Sequence, residues 1–494
     1  MKTKIFSTIS ALLLLLPGVI LSGQSLKGTY FSEYSPYRNN LNPAFMPRGG
    51  YFGIAGFDNI GVGVTSNLGL TSFLFPKGDG SLMTGLHPDV PAEVFLKALP
   101  AKPFLDLDVD TDILGIGFYT GKYSYWTIGL GVNVDAEISL DKNLFKFIKS
   151  GGTNDPQSYH LSGIGASANG FIEASLGYSH DFSHLVKGLR AGIKAKFLAS
   201  AARASLNINK LDITMGSDKW MIQTDATGYL MGKGFDLAVT QNEEDTTPSF
   251  DLTLPELRDI RPAGYGAAFD LGVEYRLPIN NFFDCIRFSA AVTDLGFVKY
   301  KKDVIEKVVS SGTFDYTGVN LDFGEDSKLD EEFSAIGDEF MALLNLHEEE
   351  MTHNKTMRVK PQLYIGAELP FLWNKMSFGV LYHAKFGYTK TRNELTLSLN
   401  ARPSKSFNIG INYSMLNTFK TIGWLLEVTP RSGVNVILGS DYTFFSVSPQ
   451  YIPINELNFN LRFGLSFALG NRFDEKAEMR KANKALKREQ RSRY

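Results

Sequence analysis

The sequence predicts an all-β fold: a transmembrane antiparallel β-barrel of about 14 strands with an N-terminal plug segment. Three observations carry this reading. The chain opens on an export signal yet has no later spanning helix. Its segments alternate strictly between apolar and polar residues. Its long connections sort to one end when strands are counted back from the last.

The N-terminus comes first. Lys2 and Lys4 precede an apolar run from Ala11 to Leu16 that continues past Pro17 to Leu21, and small residues follow at Ser22, Gly23 and Ser25. A positive start, an apolar middle and a small-residue end make residues 1–23 a signal peptide. No cysteine lies there, so a lipoprotein anchor is excluded. Beyond it no run of 18 apolar residues occurs, so no transmembrane helix is expected. With 50 Lys and Arg against 52 Asp and Glu, net charge gives no nucleic-acid signal. The 37 Phe and 21 Tyr suit many strands with aromatic girdles. The one cysteine, Cys285, has no internal disulfide partner and reads as a small buried residue at a strand start.

Alternation defines the strands. In the last, residues 457–469, Leu457, Phe459, Leu461, Phe463, Leu465, Phe467 and Leu469 share one face, while Asn458, Asn460, Arg462, Gly464 and Ser466 share the other. Such a segment is long for a soluble strand and right for a bilayer, which takes roughly 9–11 tilted residues. The same pattern sets Tyr265, Ala267, Phe269, Leu271 and Val273 against Asp270, Glu274 and Arg276, and Leu189, Ala191, Ile193 and Phe197 against Arg190, Lys194 and Lys196. A lipid-facing band around a polar lumen produces it.

Strands are expected to start near residues 51, 113, 124, 166, 188, 264, 286, 357, 376, 392, 405, 420, 434 and 457. An even count puts both termini on one side, with short turns there. The connections 121–123, 181–187, 277–285, 371–375, 402–404 and 429–433 are short, whereas 141–165, 206–263, 301–356 and 443–456 are long. The barrel thus spans 51–470, with a plug at 24–50, long outer loops at 206–263 and 301–356, and a charged periplasmic tail at 471–494. Arg462, Gly464, Phe467 and Leu469 fit a polar-x-Gly-x-x-aromatic-x-apolar pattern that resembles the insertion signal of outer-membrane barrels.

Asn42-Pro43-Ala44, just before the first strand, resembles the N-terminal region of FadL-type long-chain fatty-acid transporters and of the related type IX secretion barrels. The stretches 105–114, 161–163, 261–266 and 293–297 resemble an uncharacterised family of outer-membrane barrels from Bacteroidota. The FadL likeness implies a fourteen-stranded barrel whose N-terminal segment plugs the lumen. It further implies binding or transport of a hydrophobic small molecule that leaves sideways through a kink in the wall. The type IX likeness implies an alternative, a non-transporting scaffold for a secretion or surface-protein complex. Either way the expected place is the Gram-negative outer membrane, with outer-membrane lipid as a partner.

Inward faces are expected to carry Asp135, Glu137, Glu173, Arg190, Lys194, Lys196, Asp270, Glu274, Arg276, Arg358, Lys360, Glu368, His383, Lys385 and Arg462, with Glu427 beside them. Mixed signs favour a salt-bridged interior that holds a plug, where a selective porin would show one dominant sign. Asp106, Asp108, Asp110 and Asp112 look like the opening of a calcium loop, but Thr111 and Gly117 stand where that loop needs Gly and Glu. They read better as one acidic face at a strand edge. His347-Glu348-Glu349-Glu350-Met351 lacks the second His of a zinc helix. With Phe333, Ile336, Phe340, Leu343 and Leu344 at helical spacing, 329–350 is expected to form an amphipathic helix in the long outer loop. His383 is expected to be a hydrogen-bonded wall residue. No phosphate loop, nucleophile elbow or Cys/His cluster is present in the sequence, so no catalysis, metal or cofactor is expected.

Overall fold

A computed structural model describes residues 26–33, 35–53, 58–77, 81–150, 158–216, 219–234, 236–240, 249–253, 259–279, 283–316, 340, 343–404, 406–416, 420–428, 433–443 and 458–469. The expected signal peptide and charged tail lie outside them.

Fourteen antiparallel strands close on themselves. They are β1 (Gly50–Gly53 and Asn59–Ser66), β2 (Phe104–Thr120), β3 (Ser124–Ser139), β4 (Ile164–Asp181), β5 (Leu189–Met215), β6 (Gly264–Pro278) and β7 (Cys285–Tyr300). Then come β8 (Lys355–Arg358 and Gln362–Phe371), β9 (Met376–Phe386), β10 (Thr391–Ser404), β11 (Phe407–Leu416), β12 (Lys420–Val428), β13 (Gly433–Thr443) and β14 (Asn458–Leu469). Each pairs with its chain neighbour, and β1 also pairs with β14, Ile60 opposite Phe463. Closure of the sheet is what a wall in hydrocarbon requires, because lipid cannot satisfy an open edge. Ile172, Leu176, Ile193, Phe197, Tyr265 and Phe269 point outward and are exposed, forming the apolar outer band, while Asp270 and Glu274 on the opposite face of β6 are 1% exposed.

The turns after β2, β4, β6, β8, β10 and β12 lie at one end together with the chain's entry to β1 and exit from β14. We call this the inner end. The long connections all leave the opposite, outer end.

Three expectations are corrected. β2 starts at Phe104, nine residues before the expected 113, so the Asp106–Asp112 run belongs to the wall. β5 does not stop near 206 but runs to Met215. Above Ser200 it leaves β6 and pairs with Trp220–Gly232, which pairs in turn with Ile305–Tyr316. The alternation of Leu206, Ile208, Leu211 and Ile213 continues past the barrel because a second apolar core sits there. The helix Lys142–Ser150 closes that core with Leu144 and Phe147 against Ile213, Ile222 and Leu344. Finally, His347–Glu349 is a strand paired with Lys307–Val309, not the end of a helix. Most of the expected 329–350 helix falls outside the described residues.

The lumen of the inner half is filled. Residues 26–33 and 35–49 enter it, with two short 3-10 turns at Lys27–Phe31 and Pro36–Asn40. Leu26, Tyr30, Phe31, Tyr37, Leu41, Ala44, Phe45 and Met46 are all buried there. Tyr30, Phe31, Leu41 and Phe45 form one apolar cluster with Ala291, Tyr364 and Leu381 of the wall.

Candidate functional site

The wall receives the plug through glycines. A Cβ added to Gly192 would stand 2.1 Å from the Pro43 carbonyl oxygen, and one on Gly272 would stand 2.1 Å from Asn42 Oδ1. Gly366 and Gly379 make the same room for the rings of Tyr30 and Phe31. Asn42 is fully buried, and its amide donates to the Val273 and Ala290 carbonyls at 3.4 and 3.3 Å. Its Oδ1 accepts the Ala44 N–H at 2.9 Å, which fixes the turn. Ser179 donates to the Pro43 carbonyl. Asn42, Pro43 and Ala44 therefore form the contact between plug and wall on β5, β6 and β7.

Charges lock the plug from the inner end. Glu33 accepts from Arg287 at 3.1 Å and from the Asn374 amide, and pairs with Arg276 at 3.8 Å. Burial alone would raise the Glu33 carboxyl. The guanidiniums of Arg287, Arg276 and Arg402, together with the Asn374 bond, outweigh it and hold the group well below the usual carboxylate range. The network continues through Arg287–Glu368 (3.1 Å), Arg402–Glu368 (2.8 Å), Arg276–Glu274 (3.1 Å), Arg190–Glu274 (3.2 Å) and Arg190–Asp181 (3.2 Å). Further toward the outer end, Lys27 is held by Glu394 at 2.8 Å, and its backbone N–H by Asp441 at 2.7 Å. Glu427 accepts from Ser32.

The outer half of the lumen holds a cavity of about 160 Å³. Asp108, Asp110 and Asp112 of β2 line it and Asp106 follows on the same face, each engaged by a different partner. Asp106 pairs with Arg392, Asp108 with Lys385 and Asp110 with Arg462 at 2.7 Å. Asp112 accepts amide hydrogens from Asn59 and Asn40. Among the described residues no group of three or more His, Cys, Asp or Glu is placed to hold a metal ion. Lys360 pairs with Asp135 and with Glu137 at 3.2 Å, and Lys196 pairs with Glu173, Asp270 and Asp294 at 3.5, 3.1 and 2.6 Å. Lys194 donates to Asn40 Oδ1 at 3.0 Å. His383 hydrogen-bonds Gln362 at 3.0 Å and stacks on Tyr364. Arg358 stands apart: it is exposed at the outer rim and donates to the Phe386 and Gly387 carbonyls. In β14, Arg462 is buried beside Asp110, Gly464 packs against Tyr37 of the plug, and Phe467 and Leu469 face outward.

Sequence reading missed Glu33, Arg287, Asp294, Arg392, Glu394 and Arg402. The alternation of Arg287 with Ser289 and Ala291 was the available signal for one of them. Arg402 falls in an expected turn, and Glu33 belongs to no periodic segment.

The wall ladder is irregular beside this cavity. Phe269 faces Leu295 but Leu271 faces Val292, so Asp270 stands opposite both Thr293 and Asp294. Asp294 takes a left-handed backbone (φ 58°), and its N–H donates to the Asp270 carboxylate at 2.8 Å. On the other side β8 is interrupted at Val359, Lys360 and Pro361, where one bond, Val359 N–H to the Gly296 carbonyl at 3.0 Å, persists and proline brings no N–H to the ladder. β7 is thus irregular against both neighbours at the same height.

Comparison with known proteins gives a family and a likeness of shape. No curated protein matches the chain. Among solved structures, the toluene transporter TodX of P. putida matches at 9% identity, covering 87% of this chain and 93% of that one with a TM-score of 0.35. The Ralstonia pickettii toluene transporter TbuX matches at 8% identity over 88% and 94%, TM-score 0.36. A Pseudomonas aeruginosa FadL homologue matches at 9% identity over 91% and 94%, TM-score 0.35. The model of a family of unknown function, DUF5723, matches residues 43–441, and the chain belongs to that family.

Proposed function

We propose that this protein is an outer-membrane barrel that takes a hydrophobic small molecule from outside and passes it sideways into the bilayer. The observation that carries the reading is the double irregularity of β7 at Thr293–Gly296, which borders the cavity. An apolar molecule does not cross this lumen along its axis. The plug fills the inner half, and the remaining space is lined by charges whose desolvation it would not repay. A wall position with fewer ladder hydrogen bonds is a less costly place for neighbouring strands to separate. The inner end faces the periplasm in this reading.

Two experiments test it. Cells lacking the protein should lose uptake of a labelled fatty acid or aromatic hydrocarbon, and complementation should restore it. In a Cys285→Ser background, a Val298→Cys/Met357→Cys pair lies across β7 and β8 beside the break. Uptake should fall when that pair is oxidised and return on reduction. Unchanged uptake in both experiments rejects lateral transport. Sidedness is read separately: Lys219→Cys should react with an impermeant maleimide on intact cells and Lys187→Cys should not.

The second reading, a scaffold, is favoured by the separate core built on the outer half of β5. A stoichiometric partner surviving mild-detergent purification supports it; a solitary barrel counts against it.

A further inference from the structure

Two of the charged groups that line the cavity depart from its pairing. Every other β2 aspartate in the run 106–112 has a cation, but Asp112 has the amides of Asn59 and Asn40, at 2.7 and 3.3 Å. Lys194, 5% exposed, has no carboxylate within ion-pair distance among the described residues and donates to Asn40 Oδ1 at 3.0 Å. The unmatched acid and the unmatched base line the same cavity, and one plug side chain, Asn40, bridges them. A carboxamide presents a donor to one and an acceptor to the other without carrying charge. It therefore leaves two buried opposite charges each without a direct ion pair, although Asp270 and Glu173 act on Lys194 from beyond contact, and a charged group in its place would pair with both.

We propose that this cavity binds a small zwitterionic head group, an ammonium toward Asp112 and a carboxylate toward Lys194, with Asn40 as its stand-in when the site is empty. The volume fits a head and no more. Pockets that enclose drug-sized molecules run to roughly 300–1,000 Å³, against the 160 Å³ here. An attached alkyl chain must lie elsewhere, and the cavity borders the break at Thr293 and Asp294. The cargo class is then a single-chain amphiphile with an amino-acid-like head. This deepens the lateral-transport reading and rests on it for the chain, though not for the head.

The experiment titrates the full barrel in lipid nanodiscs with N-dodecylglycine, dodecanoate, dodecylamine and tail-less glycine, subtracting empty nanodiscs. N-dodecylglycine should bind at least about tenfold more tightly than either singly charged analogue. Asp112→Asn and Lys194→Gln should each abolish that preference, and Asn40→Ala should keep or increase it. Equal binding of the three heads by the wild-type protein overturns the proposal and leaves an apolar cargo standing; so does a preference that survives in both charge variants. Glycine binding without binding of any amphiphile keeps the head-group site and refutes the apolar cargo. Binding of none of the four refutes both.

Discussion

The two halves of the lumen are built from the same materials to opposite ends. In the inner half, plug and wall interlock: glycines admit backbone, rings fill the gaps, and Glu33 has charged partners. In the outer half, space remains, the plug contributes the Asn40 amide and Lys27 at the far wall, and the wall ladder is irregular. One half is made to stay closed and the other to be occupied, and substitutions should separate them.

The largest effect is expected from Gly192→Val. Its branched side chain would meet the Pro43 carbonyl and the Ala44 nitrogen, both backbone atoms that have no rotamer to yield. Overpacking of this kind costs about 1–3 kcal/mol and more where backbone must move. The barrel should still show heat-modifiable migration on gels, while the plug becomes open to protease and single-channel conductance rises. A variant with a silent, protected plug would contradict the interlock.

Next comes Glu33→Ala, which leaves the arginines at the inner end short of one carboxylate. Breaking a buried pair costs roughly 3–5 kcal/mol when no partner remains. Arg287 and Arg276 keep Glu368 and Glu274, so the loss should fall below that range. The sign with pH follows from the depressed carboxyl. Its contribution to docking is complete above the unfolded value near 4.5 and is lost only as pH falls through the lower folded value. Plug protection from protease should therefore persist at pH 4.5 and fade on further acidification, with Glu33→Gln weak at every pH.

The smallest effect is expected from Asn40→Ala. It removes two side-chain hydrogen bonds, about 0.5–1.5 kcal/mol each, and should leave plug protection unchanged. A plug as loose as in Gly192→Val would erase the distinction between the halves.

The barrel was largely legible because its cause is local. Each strand's alternation reports lipid on one side and lumen on the other, and turn lengths report which end is which. The start of β2 was not legible. Four aspartates facing one way look like an edge until Arg392, Lys385 and Arg462 arrive from β10, β9 and β14. The length of β5 was missed because the same alternation serves two cores in series. The plug motif was visible as Asn42-Pro43-Ala44, but its lock at Glu33 was not, since a lone acid in an aperiodic segment carries no sign of three arginines far along the chain. The wall break was equally hidden: Thr293-Asp294-Leu295 alternates acceptably, and only the pairing register shows that Asp270 faces two residues.

The hold on Lys27 has a consequence for assembly. Lys27 is bound by Asp441, 414 residues later in the chain, and by Glu394 and Tyr442. Made early in synthesis, it finds its partners only when β10 and β13 are in place. The early segment therefore cannot seat before the sheet is nearly complete, and the last strands must close around it. Seating then acts as a completeness check: a chain that stops short of β13 keeps Glu394 for the ammonium but leaves the Lys27 backbone N–H without Asp441 and the ammonium without the Tyr442 hydroxyl.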